Sequence, residues 1–118
     1  MKSKQNIKIL LEKTITCLNN DEPCILPTDT YYALSVKASS SAAVKNLFKI
    51  KKRDLNKPVP ILISKLDDIN KYCDISSKTL KKLSKKFWPG PLTIVLPLIG
   101  DIPKEINNNS GFIGVRVP

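Results

Sequence analysis

Histidine is missing from this 118-residue chain. Its absence excludes Ser-His-Asp and Cys-His nucleophiles and the common zinc sites, so any chemistry must run on lysine, arginine, hydroxyls, carboxylates, backbone groups or a bound ion. Glycine is nearly as sparse: Gly90, Gly100, Gly111 and Gly114 fit neither G-x-x-x-x-G-K-[ST] nor G-x-G-x-x-G, which excludes the phosphate-loop and dinucleotide fingerprints. Cys17, Cys24 and Cys73 form no C-x-x-C pair and are odd in number, the pattern of buried thiols in a reducing, cytoplasmic setting. No apolar run approaches the roughly 18 residues that a membrane span needs, and Met1-Lys2-Ser3-Lys4-Gln5-Asn6 leads into no signal-like core. The expectation is a protein neither exported nor membrane-bound.

Lysine fills the space these residues leave. Twenty basic residues against ten acidic give a net charge of +10, while 42% apolar content argues for a globular chain of one domain. Eighteen of the twenty are lysine, and the general excess reads as compositional drift. Two clusters stand out above it. Lys45, Lys49, Lys51, Lys52, Arg53 and Lys57 face Asp54 alone, and residues 78–86 hold five lysines and no acid. Each reads either as a solvated helix face or as a polyphosphate or nucleic-acid surface.

Periodicity places the elements. Ile7, Leu10, Leu11, Thr14, Ile15 and Leu18 predict an amphipathic helix, and Cys24-Ile25-Leu26 predicts a short strand opening into a Thr28-Asp29-Thr30 loop. Ser39–Ser41 offer an N-cap to a helix with Ala43, Val44, Leu47 and Phe48 on one face. Val59–Ile63 predicts a buried strand, and Leu66, Ile69, Tyr72 and Cys73 a short helix. Ser76 or Ser77 caps a helix carrying Leu80, Leu83 and Phe87, stopped at Trp88-Pro89-Gly90-Pro91. Thr93–Leu98 and Phe112–Val117 read as the last strands. The fold class expected is α/β, a twisted open sheet with flanking helices. Among the basic residues the two arginines, Arg53 and Arg116, draw notice, because a planar fork grips phosphate or carboxylate as an ammonium cannot.

Four motifs in order resemble those of the YrdC-like threonylcarbamoyl-AMP synthases. Pro27-Thr28-Asp29-Thr30-Tyr31-Tyr32-Ala33-Leu34 is similar to P-T-[DE]-T-x-Y-G-L, and Lys51-Lys52-Arg53 with Lys57-Pro58 to the K-x-R region. Trp88-Pro89-Gly90-Pro91-Leu92-Thr93 and Val115-Arg116-Val117-Pro118 match W-P-G-P-L-T and V-R-[VM]-P. The resemblance implies a YrdC-like sheet of mixed strands over residues 1–118, incomplete at its C-terminus, where the family continues into a Ser-Ala-Asn loop. It implies an enzyme joining L-threonine, bicarbonate or carbon dioxide, and ATP into threonylcarbamoyl-AMP with release of pyrophosphate. A tRNA threonylcarbamoyl transferase complex would then use that product. Thr30 and Arg116 would hold threonine, Lys51, Arg53 and Lys57 the ATP phosphates, and Thr28 and Tyr32 would line the pocket, with Mg2+ on the phosphates. The alternative is a non-catalytic module binding tRNA or double-stranded RNA through a basic surface. Two expectations follow from departures: Ala33 and Ser35 stand where glycine is usual and would strain the loop if φ were positive. A Phe112–Val117 strand lacking a neighbour would leave a self-associating edge.

Overall fold

Residues 112–117 alternate strictly, and that alternation organises the sheet. The computed structural model describes residues 4–54 and 56–118. Strand β5 (Phe112–Arg116) buries Ile113 and Val115, and Val117 just beyond it, while Phe112, Gly114 and Arg116 turn to the opposite face. It pairs parallel with β3 (Ile61–Leu62) and antiparallel with β4 (Ile94–Pro97), giving the order β3-β5-β4. The register sets Ile61, Ile94 and Val115 side by side toward the core, and Val95 beside Gly114 on the other face. Strand β5 is therefore central. The expectation that this strand would lie at an open edge is corrected: both its neighbours are present, and the edges are β3 and β4.

Two capped helices close the inner face. Helix α2 (Ser41–Lys51) begins at Ser40, whose hydroxyl accepts from Ala43 N–H, and it buries Ala43, Val44, Leu47 and Phe48. Helix α3 (Lys78–Phe87) begins at Ser77, whose hydroxyl accepts from Leu80 N–H, and it buries Leu80. A four-residue turn of helix, α4 (Lys104–Asn107), inserts Ile106 into the same core, and Lys45 Nζ of α2 lies 3.6 Å from Glu105 Oε1. The core joins Val44, Phe48, Ile69, Leu96, Ile106 and Val115.

The N-terminal part is arranged differently. Helix α1 (Lys4–Asn19) forms where the periodicity predicts it but buries none of its residues: Leu11 and Ile15 are each 57% exposed. Strands β1 (Cys24–Pro27) and β2 (Tyr32–Ser35) make a separate antiparallel hairpin. Strand β2 was not anticipated, because the polar loop before it hides its start. Ala33 and Ser35 lie within it, and neither is among the positive-φ residues, so the expected strain is absent. The Val59–Ile63 strand shortens to two residues, Pro60 having no N–H for a ladder. The helix expected around Leu66–Cys73 is one 3-10 turn, Leu66–Ile69, with Cys73 bridging Leu98 instead. Cys73 is buried, but Cys17 and Cys24 are only half-buried, which corrects the expectation for those two.

Acid weakens this fold by an identifiable route. The Ser76 hydroxyl and N–H hold the Asp74 carboxyl below its ordinary value, and the Ser64 hydroxyl does the same for Asp68. Glu105 is lowered first by its own backbone N–H; burial opposes this, and the nearby Lys45 adds to the lowering. Depressed folded values mean that the unfolded chain takes up protons first. Their contribution is complete above the ordinary carboxylate range near pH 4 and is lost as pH falls through the lowered values. Thermal melts should show a melting temperature falling below about pH 4, with a shallower fall in Asp74→Asn; identical acid limbs in the two proteins would remove Asp74 from this account.

Candidate functional site

The hairpin register pairs Pro27 with Tyr32, so Thr28-Asp29-Thr30-Tyr31 must turn the chain. Thr28 holds the turn from inside: its hydroxyl donates to Tyr31 O at 2.5 Å and accepts from the N–H groups of Thr30 and Tyr31 at 3.3 and 3.2 Å. This is the local bonding by which threonine favours turns, and it leaves Asp29 and Thr30 outermost. Thr28, expected to line a pocket, has its hydroxyl committed to shaping this turn. Tyr32, expected beside it, stands 78% exposed at the start of β2 and enters none of the hydrogen bonds described below.

Arg116 reaches this turn from the outer face of β5. Its Nη2 donates to the Asp29 carboxylate, forming an ion pair, and to Thr30 Oγ1 at 3.2 Å, while Nε donates to Gly90 O at 3.2 Å. Gly90 is held in turn by its N–H on Val117 O at 2.8 Å, and the Trp88 indole N–H closes the same loop on Leu92 O at 2.7 Å. Three motifs separated by up to 87 residues thus meet at one guanidinium, whose side chain is 16% exposed. Of its five N–H donors the two on Nη1 remain uncommitted among the described residues, which suits one further anionic or carbonyl group. Sequence reading named Thr30 and Arg116 but missed Asp29 and Gly90. Both sit inside quoted motifs, which was the available signal.

The sheet face that carries Phe112, Gly114 and Arg116 also holds a groove of about 380 Å3, lined by Pro58, Pro60, Thr93, Val95, Phe112 and Gly114 among others. Gly114 keeps it open, because a Cβ there would lie 3.1 Å from Thr93 Cγ2. Arg53 holds the backbone next to this groove: Nε donates to Lys57 O at 3.2 Å and Nη2 to the carbonyl of the lining residue Pro58 at 2.8 Å. Helix α2 ends at Lys51 and Lys52 takes a left-handed turn, which swings Arg53 back so that its N–H meets Phe48 O at 2.9 Å. For the expected grip by Lys51 and Arg53, this means that one edge of the Arg53 fork clamps the 57–58 backbone, which leaves the other donors of the guanidinium for a ligand. The Lys51 and Lys57 side chains are exposed. Among the described residues no three acidic or cysteine side chains cluster as a metal site. A magnesium ion, which keeps several waters and takes phosphate oxygens with one or two carboxylates, does not need such a cluster.

Known proteins resemble this chain in sequence and in fold. The Sua5/YciO/YrdC family model, described as "Telomere recombination", matches residues 16–118. A threonylcarbamoyl-AMP synthase of Wigglesworthia glossinidia brevipalpis is 35% identical over 109 residues, 91% of this chain and 56% of that protein. The crystal structure of P. abyssi Sua5 complexed with L-threonine superposes with a TM-score of 0.85 at 30% identity, over 90% of this chain and 31% of that one. A Methanobacterium thermoautotrophicum protein solved in solution gives 0.75 at 38% identity, over 92% of this chain and 51% of that one. The chain spans less than two thirds of the length of each of these.

Proposed function

The chain belongs to the Sua5/YciO/YrdC family, and from that premise we propose that it serves the synthesis of threonylcarbamoyl-AMP from L-threonine, bicarbonate or carbon dioxide, and ATP. One observation carries the reading: Arg116, Thr30 and Gly90 come together from three separate motifs at one guanidinium. The threonine carboxylate takes the free Nη1 edge of Arg116, and Thr30 Oγ1 lies within reach of the amino acid's polar groups. The ATP phosphates take Lys51, Lys57 and the remaining donors of Arg53, with Mg2+ arriving on the nucleotide.

The threonine amine adds to carbon dioxide and loses a proton to give a carbamate. A carbamate oxygen then attacks the α-phosphorus, and the bond to the bridging oxygen breaks to release pyrophosphate. Such a step gains most from positioning and neutralised charge, so a site without histidine suits it. The product would pass to a tRNA threonylcarbamoyl transferase complex in the cytoplasm. Among the described residues no helix is long and apolar enough to cross a membrane. Pyrophosphate release tests the reading. It should require threonine and bicarbonate together, and release that ignores threonine would overturn it.

Arg53→Lys should weaken ATP binding although the charge is kept, because one ammonium cannot both clamp two carbonyls and offer a second edge. A loss of about 1.5–3 kcal/mol is expected from charge-assisted hydrogen bonds of this kind. Titration calorimetry with ATP checks it, and equal affinities would remove Arg53 from the phosphate site.

A further inference from the structure

Helix α1 ends in a closed turn that folds the chain back along its last residues. The Glu22 N–H bonds Cys17 O at 3.0 Å and the Asp21 N–H bonds Leu18 O at 3.1 Å, with Asp21 in the left-handed region at a φ of 61°. This is the paired bonding by which a helix C-terminus reverses its chain. It sets Cys17, in the last turn of α1, against the first residue of β1. The Cys17 thiol donates to Pro23 O at 3.4 Å and to the Glu22 carboxylate at 3.6 Å, and Pro23 O belongs to the peptide plane that ends at Cys24 Cα. The Cys24 thiol is a further hydrogen-bond partner of Cys17. Cys24 stands with Leu26 on the less exposed side of β1, and both thiols are half-buried and free. A cleft of about 400 Å3 opens at Cys17, lined also by Glu12, Lys13, Thr16, Asn20 and Glu22.

We propose that Cys17 and Cys24 form a reversible disulfide by exchange with a low-molecular-weight disulfide, which reaches them through this cleft. The Cys24 thiolate attacks one sulfur of the small disulfide, the S–S bond breaks, and one small thiolate leaves. Cys17 then attacks the Cys24 sulfur of the mixed disulfide and expels the second small thiolate. Two protein thiols are oxidised, their protons go to the two departing thiolates, and the small disulfide is reduced to two thiols. Cys24 goes first because two oxygen acceptors hold the Cys17 proton. Burial, then the Cys24 thiol, then Glu22 push the Cys17 thiol above its ordinary value, which keeps it from starting the exchange. Its second step is intramolecular, and there proximity replaces acidity. Cys73 is excluded, being 1% exposed within the core. The new bond ties α1, which buries no residue, to the strand that leads into the Thr28–Tyr31 turn. In a reducing compartment such a bond is transient and responds to oxidant.

Mass spectrometry of the full chain, treated with oxidised glutathione and then alkylated, tests this. The parent chain should lose two hydrogens, about 2 Da. Cys73 should remain as its one alkylated thiol, and dithiothreitol should restore all three. Cys73→Ser should close as the parent does. Cys17→Ser should stop as a mixed disulfide on Cys24, and Cys24→Ser should show no loss of two hydrogens. If either of these variants fails to fold, the other, with peptide mapping of the parent's bond, carries the same test. A parent chain that keeps all three thiols, or one that ends with separate mixed disulfides on Cys17 and Cys24, would overturn the proposal. So would a bond to Cys73, a bond between two chains, or a Cys17→Ser protein that still loses two hydrogens.

Discussion

Arg116→Ala should abolish the response to threonine. The guanidinium is the only side chain among the described residues that hydrogen-bonds both the Thr28–Tyr31 turn and the Gly90 loop, so its removal deletes the carboxylate partner and releases both. Losing charge-assisted hydrogen bonds costs about 1.5–3 kcal/mol, a ten- to hundredfold weaker interaction. The Asp29 carboxylate is then left without its partner. Thermal shift with and without threonine measures ligand response and fold together: a lower melting temperature is expected, with no rise on adding threonine. Stabilisation by threonine equal to that of the parent chain would take Arg116 out of the site. Arg116→Lys separates the roles, since an ammonium can keep the Asp29 pair while losing the fork, and it should restore stability more than threonine response.

Gly90→Ala should lose clearly more stability than Gly111→Ala. A Cβ built there lies 2.4 Å from the Phe87 carbonyl oxygen, a backbone atom at the end of α3 that cannot rotate away. The loop must shift, which strains both the Gly90 N–H bond to Val117 O and the Arg116 bond to Gly90 O. Overpacking of this kind costs about 1–3 kcal/mol and at times more. Gly111→Ala is the matched comparison: its Cβ meets nothing within 4 Å, and only its φ of 84° opposes a side chain, for about 1–2 kcal/mol. Urea unfolding of the two variants ranks them. A Gly90→Ala protein as stable as the parent would mean that the loop is looser than its bonding indicates, and it would weaken the case that Gly90 fixes Arg116.

What the sequence determined by itself is local. Serines before apolar runs marked the starts of α2 and α3, and the run Phe112–Val117 after a turn signal marked β5, because caps and turns act within a few positions. The same locality made α1 legible as a helix while saying nothing of its burial: period reports a face, and only a packed neighbour covers it. Residue chemistry and motif order pointed to Thr30, Arg53 and Arg116. Only the tertiary structure decided that Arg53 clamps the carbonyls of Lys57 and Pro58, and that Asp29 meets Arg116 across 87 residues. It also decided that β5 is the middle strand, because strand order and long-range ion pairs depend on which surfaces remain after the core is packed, and no local pattern records that.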